Sequence, residues 1–255
     1  MPLISIITPV FNAACWLPET LATVRAQTLG DWEHILVDDC STDESPDILE
    51  AASIADSRIR VIRSSRNEGP TAARNQALQA ATGRFIAFLD ADDLWQPEKL
   101  ALSIDWMIVN GYGFIYHDYR HISHDGSRLG NVVTGPDTLT LRTLHTRRGT
   151  GCLTVVIDRL QIPEVQFTEI SPYHAEDFCL WAKLLRQGHR GHRLPVDLAR
   201  YRLSPQSRSA NKLECGLNTW RIYRNHSGLS VAHATFWWVQ YAWNAFRLHR
   251  NARPG

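Results

Sequence analysis

Short apolar runs alternate with helical patterns through the first 110 residues of the chain. Leu3 to Val10, Trp32 to Val37, Ile59 to Arg63 and Phe85 to Leu89 are brief, strongly apolar and rich in β-branched and aromatic residues, and they read as strands. Between them, Pro18 to Ala26, Pro46 to Ala55 and Thr71 to Ala81 read as helices. This rhythm predicts an α/β fold with a mostly parallel central sheet covered by helices on both faces. Ligands of such sheets sit beyond the carboxyl ends of the strands. Three of these ends are polar: Thr8-Pro9-Val10-Phe11-Asn12, Asp38-Asp39-Cys40-Ser41-Thr42-Asp43 and Asp90-Ala91-Asp92-Asp93.

Residues 97 to 109 predict a further helix opened by Pro97, and Phe114 to Tyr116 a further strand. From His117 to Gly151 the periodicity weakens, which predicts loops with a short helix near Leu139 to Leu144. Regularity returns with a strand at Leu153 to Ile157 and a helix over Glu176 to Gln187, where Phe178, Trp181, Leu184 and Leu185 fall at helical spacing. The expected organisation is one domain over 1–210, with a nucleotide-binding half (1–110) and an acceptor-binding half (111–210), followed by a helical extension over 211–255.

That extension differs in composition. No acidic residue follows Glu214, whereas Arg221, Arg224, Arg247, Arg250 and Arg253 remain, and Leu229 to Leu248 holds Phe236, Trp237, Trp238, Tyr241, Trp243 and Phe246. His233, Gln240 and Asn244 interrupt it, so a helix lying in the headgroup region suits it better than one crossing the bilayer. Helices packed on the core are the alternative.

Composition narrows the class. At 255 residues, 44% hydrophobic and 21% charged, the chain buries a full core. A net charge of +1 gives no reason to expect nucleic acid. Cys15, Cys40, Cys152, Cys179 and Cys215 are odd in number and never spaced CxxC, which argues against a disulfide framework or zinc site and for a reducing cytosol. Neither a signal peptide nor an 18-residue apolar run is visible.

The stretch from Phe85 to Asp93 drives an apolar strand into three carboxylates. Carboxylates this close repel one another, and a hard cation or fixed donors relieve them. Mg²⁺ or Mn²⁺ beside a diphosphate fits, with an acidic helix cap as the simpler alternative.

Ser5 to Asn12, Val37 to Asp43, Asn67 to Asn75 and Leu89 to Asp93 together resemble the successive signature blocks of family 2 glycosyltransferases with the GT-A fold. His174 to Trp181 is similar to a fifth block, a Glu-Asp pair opening a helix. The resemblance implies an inverting, metal-dependent enzyme that moves a sugar from a nucleoside diphosphate sugar, UDP-sugar favoured, to a glycan or lipid-linked acceptor. It implies work on surface polysaccharide, exopolysaccharide or lipopolysaccharide at the cytoplasmic face of the membrane.

Residue by residue, it implies that Thr8, Pro9, Val10 and Asn12 face the nucleobase, with Asp39 first and Asp38 second accepting from the base. Asn67, Gly69 and Arg74 complete the nucleotide site, with a salt bridge to the acidic loop as the other reading of Arg74. Asp90 and Ala91 lie near ribose, Asp92 with Asp90 holds Mn²⁺ or Mg²⁺, and Asp93 orients the loop or touches the donor sugar. Asp177 is the general base beside Glu176. Arg202, Arg208 or Lys212 closes over the diphosphate, unless that stretch is a solvated basic loop. Cys40 stands where the family usually has Gly, which bears on loop conformation. The rival readings are a polyprenyl-phosphate sugar synthase, whose anionic acceptor needs no base, and a silent nucleotide-sugar-binding scaffold.

Overall fold

The computed structural model describes residues 1–147, 149–168, 175–203, 212–225 and 230–251. In chain order these form β1 (Ile4–Val10), α1 (Leu17–Arg25), β2 (Trp32–Asp38), α2 (Ser45–Ala55), β3 (Ile59–Arg63), α3 (Pro70–Ala80), β4 (Phe85–Phe88), β5 (Leu94–Trp95) and α4 (Lys99–Asn110). There follow β6 (Phe114–Ile122), β7 (Leu129–Val133), β8 (Thr138–Leu139), α5 (Leu141–Thr146), a 3₁₀ turn at Cys152–Thr154, β9 (Val156–Asp158), α6 (Glu176–Arg186), β10 (Gly191–Arg202), α7 (Lys212–Asn225) and α8 (Val231–Asn251).

One mixed sheet runs β3-β2-β1-β4-β9-β6-β10-β5, with β7 on β6 and β8 on β10. Strands β1 to β4 are parallel, β9 runs against both β4 and β6, and β10 again lies parallel to β6. The two sides of β9 thus point the same way, and their carboxyl ends open onto one edge.

Alternation along the strands separates two cores. Ile4, Ile6, Phe85 and Ala87 face α1, α2 and α4, where Leu21, Leu49 and Ile104 are buried. Ile7, Ile86 and Phe88 face α3 and α6, where Ala73, Ala77 and Trp181 close the layer. Trp181 meets Phe88 and Phe114 at ring-centroid distances of 6.0 and 5.3 Å.

The strands and helices of the first half stand within a few residues of where the pattern predicts them. The second half departs from it. Strand β6 extends six residues beyond Tyr116, because Asp118 and Arg120 find charged partners on β10: Asp118 pairs with Arg193 and Arg120 with Asp197, both at 2.7 Å. The 12-residue β10 has no matching expectation in the sequence. Its Pro195 and charged residues disguise it, and its register shifts between Leu194 and Ala199. Leu153 belongs to the 3₁₀ turn rather than to β9. The short helix after residue 138 forms as α5, with a reciprocal cap between Thr140 and Thr143.

The extension packs on the core at least in part. Ile222 and Tyr223 of α7 and Ala234 of α8 are buried, the Tyr223 hydroxyl donates to the His145 carbonyl, and Trp237 lies 4.7 Å from the His145 ring. Phe236, Val239 and Trp243 recur at helical spacing on α8 and remain exposed. Among the described residues, no helix is long and apolar enough to cross a membrane.

Candidate active site

The loop after β1 and the loop after β2 are built as one unit. Asn12 and Cys40 both adopt left-handed backbone, at φ +49 and +65°, which non-glycine residues accept at a cost of roughly 1 to 2 kcal/mol. Cross-links hold them there. The Asn12 amide donates to Ser41 Oγ at 3.0 Å, and the Thr42 amide donates to Asn12 Oδ1 at 2.8 Å. Asp43 accepts from the amides of Ala14 and Ser45, tying the loop to the start of α2. Cys40 therefore holds a conformation that glycine would adopt freely.

The two acids of this loop are spoken for by backbone amides. Asp38 accepts from the Ser41 amide at 3.0 Å. Asp39 accepts from the amides of Glu68 and Gly69 at 2.9 and 2.7 Å, across the turn that launches α3. Gly69 has φ +86° and is followed by Pro70 at the first helical position. Thr8 points into the sheet, within 2.8 Å of His34 Nε2, while Pro9 is half-buried, Val10 buried and Asn67 exposed.

Burial of the α3 face carries Arg74 inward, and its fork divides between two carboxylates. One nitrogen donates to Asp90 Oδ1 at 2.6 Å and the other to Glu176 Oε1 at 3.1 Å. The guanidinium thus stands between the acidic loop after β4 and the first turn of α6.

The acidic loop is held from its far side by Arg202. Its amide donates to Asp93 Oδ1, its Nε to the Asp92 carbonyl, and its remaining nitrogens to the His124 carbonyl and Glu19 Oε2, all between 2.6 and 3.0 Å. Thr20 adds a hydroxyl to the carbonyls of Ala91 and Asp93. Burial and the neighbouring Asp90 push Asp92 up to about 6. Burial, then Asp92 and Asp90, push Asp93 well above the carboxylate range, and its Oδ2 is buried with no hydrogen-bond partner. Arg74 and Arg202 offset only part of the repulsion among these acids, and a cation would offset more of it.

At the opening of α6, burial and then Glu176 raise Asp177 to about 6, partly offset by the Phe178 amide, which donates to it at 2.6 Å, and by Arg74. Beside Asp177 lies a cavity of about 270 Å³ reaching from Tyr119 to Tyr223 of α7. Cys152 is buried, and burial pushes its thiol well above its usual value, so it stays protonated.

Residues 5–153 match the family model described as glycosyl transferase family 2. The chain belongs to that family. It is 38% identical over 246 residues to TuaG of Bacillus subtilis, a glycosyltransferase named for teichuronic acid biosynthesis, covering 96% of this chain and 97% of the relative. It is 35% identical over 221 residues to Escherichia coli WfgD, named as a UDP-Glc:alpha-D-GlcNAc-diphosphoundecaprenol beta-1,3-glucosyltransferase, covering 86% and 85% of the two chains. Among solved structures, S. aureus TarS 1–349 in complex with UDP-GlcNAc superposes with a TM-score of 0.73 at 21% identity, over 97% of this chain and 73% of that one. The Pyrobaculum calidifontis mannosyltransferase PcManGT, in complex with GDP-Man and Mn²⁺, gives 0.70 at 16% identity, over 98% and 74%. These structures establish the fold of this family 2 glycosyltransferase as that of the GT-A enzymes.

Within the glycosyltransferase, Asp90, Asp92, Asp93, Arg74, Glu176 and Asp177 come together at the strand ends. Thr8 and Arg202 face inward as struts, Arg208 lies outside the described residues, and Lys212 opens α7. Glu19, Cys152, Arg147 and the α7 residues at the cavity went unnoticed in the sequence. Only the basic-glycine run Arg147-Arg148-Gly149 carried any signal for one of them. No group of three or more metal-ligating side chains forms among the described residues. Asp90 and Asp92 nevertheless offer hard oxygens, and Mg²⁺ is commonly held by one or two carboxylates plus substrate phosphates, so these residues fit such an ion.

Proposed function

We propose that this glycosyltransferase moves a sugar, with inversion, from a UDP-sugar to a hydroxyl of a lipid-linked saccharide used in cell-surface polysaccharide synthesis. The observation that carries the reading is the Arg74 bridge, which joins Asp90 on the donor side to Glu176, the neighbour of Asp177, on the acceptor side. UDP is favoured by the nucleotide named in the TarS complex and in WfgD, and a lipid-linked acceptor by the name of WfgD.

In this mechanism, the loops after β1 and β2 receive the base, with Asp38 and Asp39 at its edge and Asn67, Gly69 and Ala91 around the nucleoside. Asp92 and Asp90 would hold Mn²⁺ or Mg²⁺, which would neutralise charge on the departing diphosphate. Asp93 fixes the acidic loop, and Arg208 and Lys212 supply positive charge towards the diphosphate. Asp177 takes the proton from the acceptor hydroxyl as that oxygen attacks the anomeric carbon, and Glu176 orients the pocket. A pKa near 6 leaves Asp177 ionised at neutral pH yet basic enough to accept that proton. Fixed groups on both sides of the breaking bond hold the reactants in line.

Calorimetry with UDP, GDP, TDP and CDP, with and without Mn²⁺, tests the donor site. Wild type binds UDP in a metal-dependent way, and Asp92→Ala loses that dependence. Unchanged Mn²⁺-dependent UDP affinity in the variant would remove Asp92 from the metal site.

We also read the exposed Phe236, Val239 and Trp243 face of α8, with its arginine-rich surroundings in sequence, as resting on the anionic cytoplasmic surface of the membrane. Replacing Phe236 and Trp243 by Ser weakens partitioning onto phosphatidylglycerol vesicles by about tenfold or more, since each ring contributes roughly 1.5 to 3 kcal/mol when buried. Equal partitioning of variant and wild type excludes this face.

A further inference from the structure

The cavity beside Asp177 has an unusual distribution of charge. Among the described residues, Asp177 is the one carboxylate lining it and Arg147 the one cation. Aromatic side chains from three parts of the fold contribute to the wall: Tyr119 of β6, Phe178 and Trp181 of α6, and Tyr223 of α7. Arg147 is exposed, and among the described residues its guanidinium has no ion pair or hydrogen bond.

Gly149 has φ +128°, and a Cβ there would come within 2.6 Å of the Gly135 backbone. Residue 149 is therefore restricted to glycine and sits against the 135 turn, while Arg147, Thr150 and Gly151 line the cavity. The far wall comes from the extension, through Thr219, Ile222 and Tyr223.

Each part selects a chemical group. Aromatic walls of this size suit the apolar faces of a sugar ring, and Asp177 suits one of its hydroxyls. An uncompensated guanidinium at the same cavity suits an anion with several oxygens in a plane or fork, as phosphate presents. A neutral glycan would leave that cation unused.

We infer that this cavity binds an acceptor saccharide carrying a phosphate or diphosphate at its reducing end, that Arg147 reads the anion, and that α7 completes the sugar's enclosure. This rests on the glycosyl-transfer reading above and goes beyond it in assigning the residues that choose the acceptor. Arg147 binds substrate charge and takes no part in moving the proton.

The test uses the full chain saturated with UDP and Mn²⁺ and two soluble ligands: N-acetylglucosaminyl diphosphate with a short alkyl chain, and the corresponding alkyl glycoside without phosphate. Wild type prefers the diphosphate ligand, and Arg147→Ala reduces that preference by about 10- to 100-fold, the range for losing a charge-assisted contact. Arg147→Lys retains part of it. UDP affinity, measured alongside, holds in every variant. Equal affinity of wild type for the two ligands, binding of neither, or an equal loss of both in Arg147→Ala would overturn the assignment. A membrane headgroup is the other source of phosphate. Reduced partitioning of Arg147→Ala onto phosphatidylglycerol vesicles, with its soluble-ligand preference intact, would give the cation to the headgroup and also overturn the assignment. Failure of UDP to bind at all would instead remove the donor reading, and the ligand preference would show separately whether Arg147 reads an anion.

Discussion

Asp177→Asn is expected to cut turnover by about 10²- to 10⁴-fold while leaving UDP affinity unchanged, the scale of losing a general base. The amide keeps the size and shape of the side chain but cannot take a proton from the acceptor. Two further results separate this from general damage. Wild-type kcat/KM falls as the pH drops below about 6, because burial and Glu176 hold the Asp177 pKa near that value. That limb is absent from the residual activity of the variant.

Stability moves in the opposite direction. The folded-state pKa of Asp177 lies above its ordinary 3.8, so between these values the folded protein binds more protons than the unfolded chain. Ionised Asp177 therefore costs stability at neutral pH, and that cost disappears as the pH falls through 6 towards 4. Asp177→Asn should be more stable than wild type at pH 7.5, on the order of 2 kcal/mol by denaturant unfolding, and the gain should vanish near pH 4. A less stable variant at neutral pH would mean that the carboxylate holds the fold together rather than serving chemistry at its expense.

Arg74→Met should be the more disruptive substitution. The methionine keeps the apolar stem of the side chain but leaves Asp90 and Glu176 facing each other without the cation between them, and removing one partner of a buried pair typically costs about 3 to 5 kcal/mol. Arg74 also lowers the pKa of Asp177, so its loss moves the acid limb of the activity profile to higher pH. Unfolding curves and a pH-activity profile read the two effects independently. An unshifted limb together with stability within about 1 kcal/mol of wild type would show that Arg74 does not couple the two carboxylates. Arg74→Lys is a weaker replacement than its charge suggests, since one ammonium cannot reproduce a fork aimed at two acids.

The parallel half of the fold was legible because β1, β2 and β4 are buried on both faces, and such strands advertise themselves as continuous apolar runs. Ile59–Arg63 even coincides with its sequence-based bounds. Strand β10 and the part of β6 beyond Tyr116 were hidden by the very residues that join them. Asp118, Arg120, Arg193 and Asp197 read individually as loop residues, and only their cross-strand pairing makes them tolerable in a sheet.

The same distinction runs through the site. Asp90 and Asp92 at the end of β4 and Asp177 in the first turn of α6 each lie in a short contiguous motif, so they could be named from the sequence. Their supports come from distant segments: Glu19 and Arg202 meet across 183 residues of chain, and Arg74 and Glu176 across 102. Asp39 illustrates the intermediate case. Its position marked it as important, but nothing local indicated that both its oxygens would be engaged by the amides that open α3.

Arg202 also sets the order in which the enzyme comes into being. The acidic loop lies within the first 93 residues, yet its Asp93 carboxylate and Asp92 carbonyl accept from the last residue of β10. During synthesis the carboxylates emerge from the ribosome about 110 residues before the strand that fixes them. Until then only partners from the same half, Thr20 at the Ala91 and Asp93 carbonyls and Arg74 at Asp90, restrain the acids of the nascent chain, and the far side of the loop is closed only when synthesis is nearly complete.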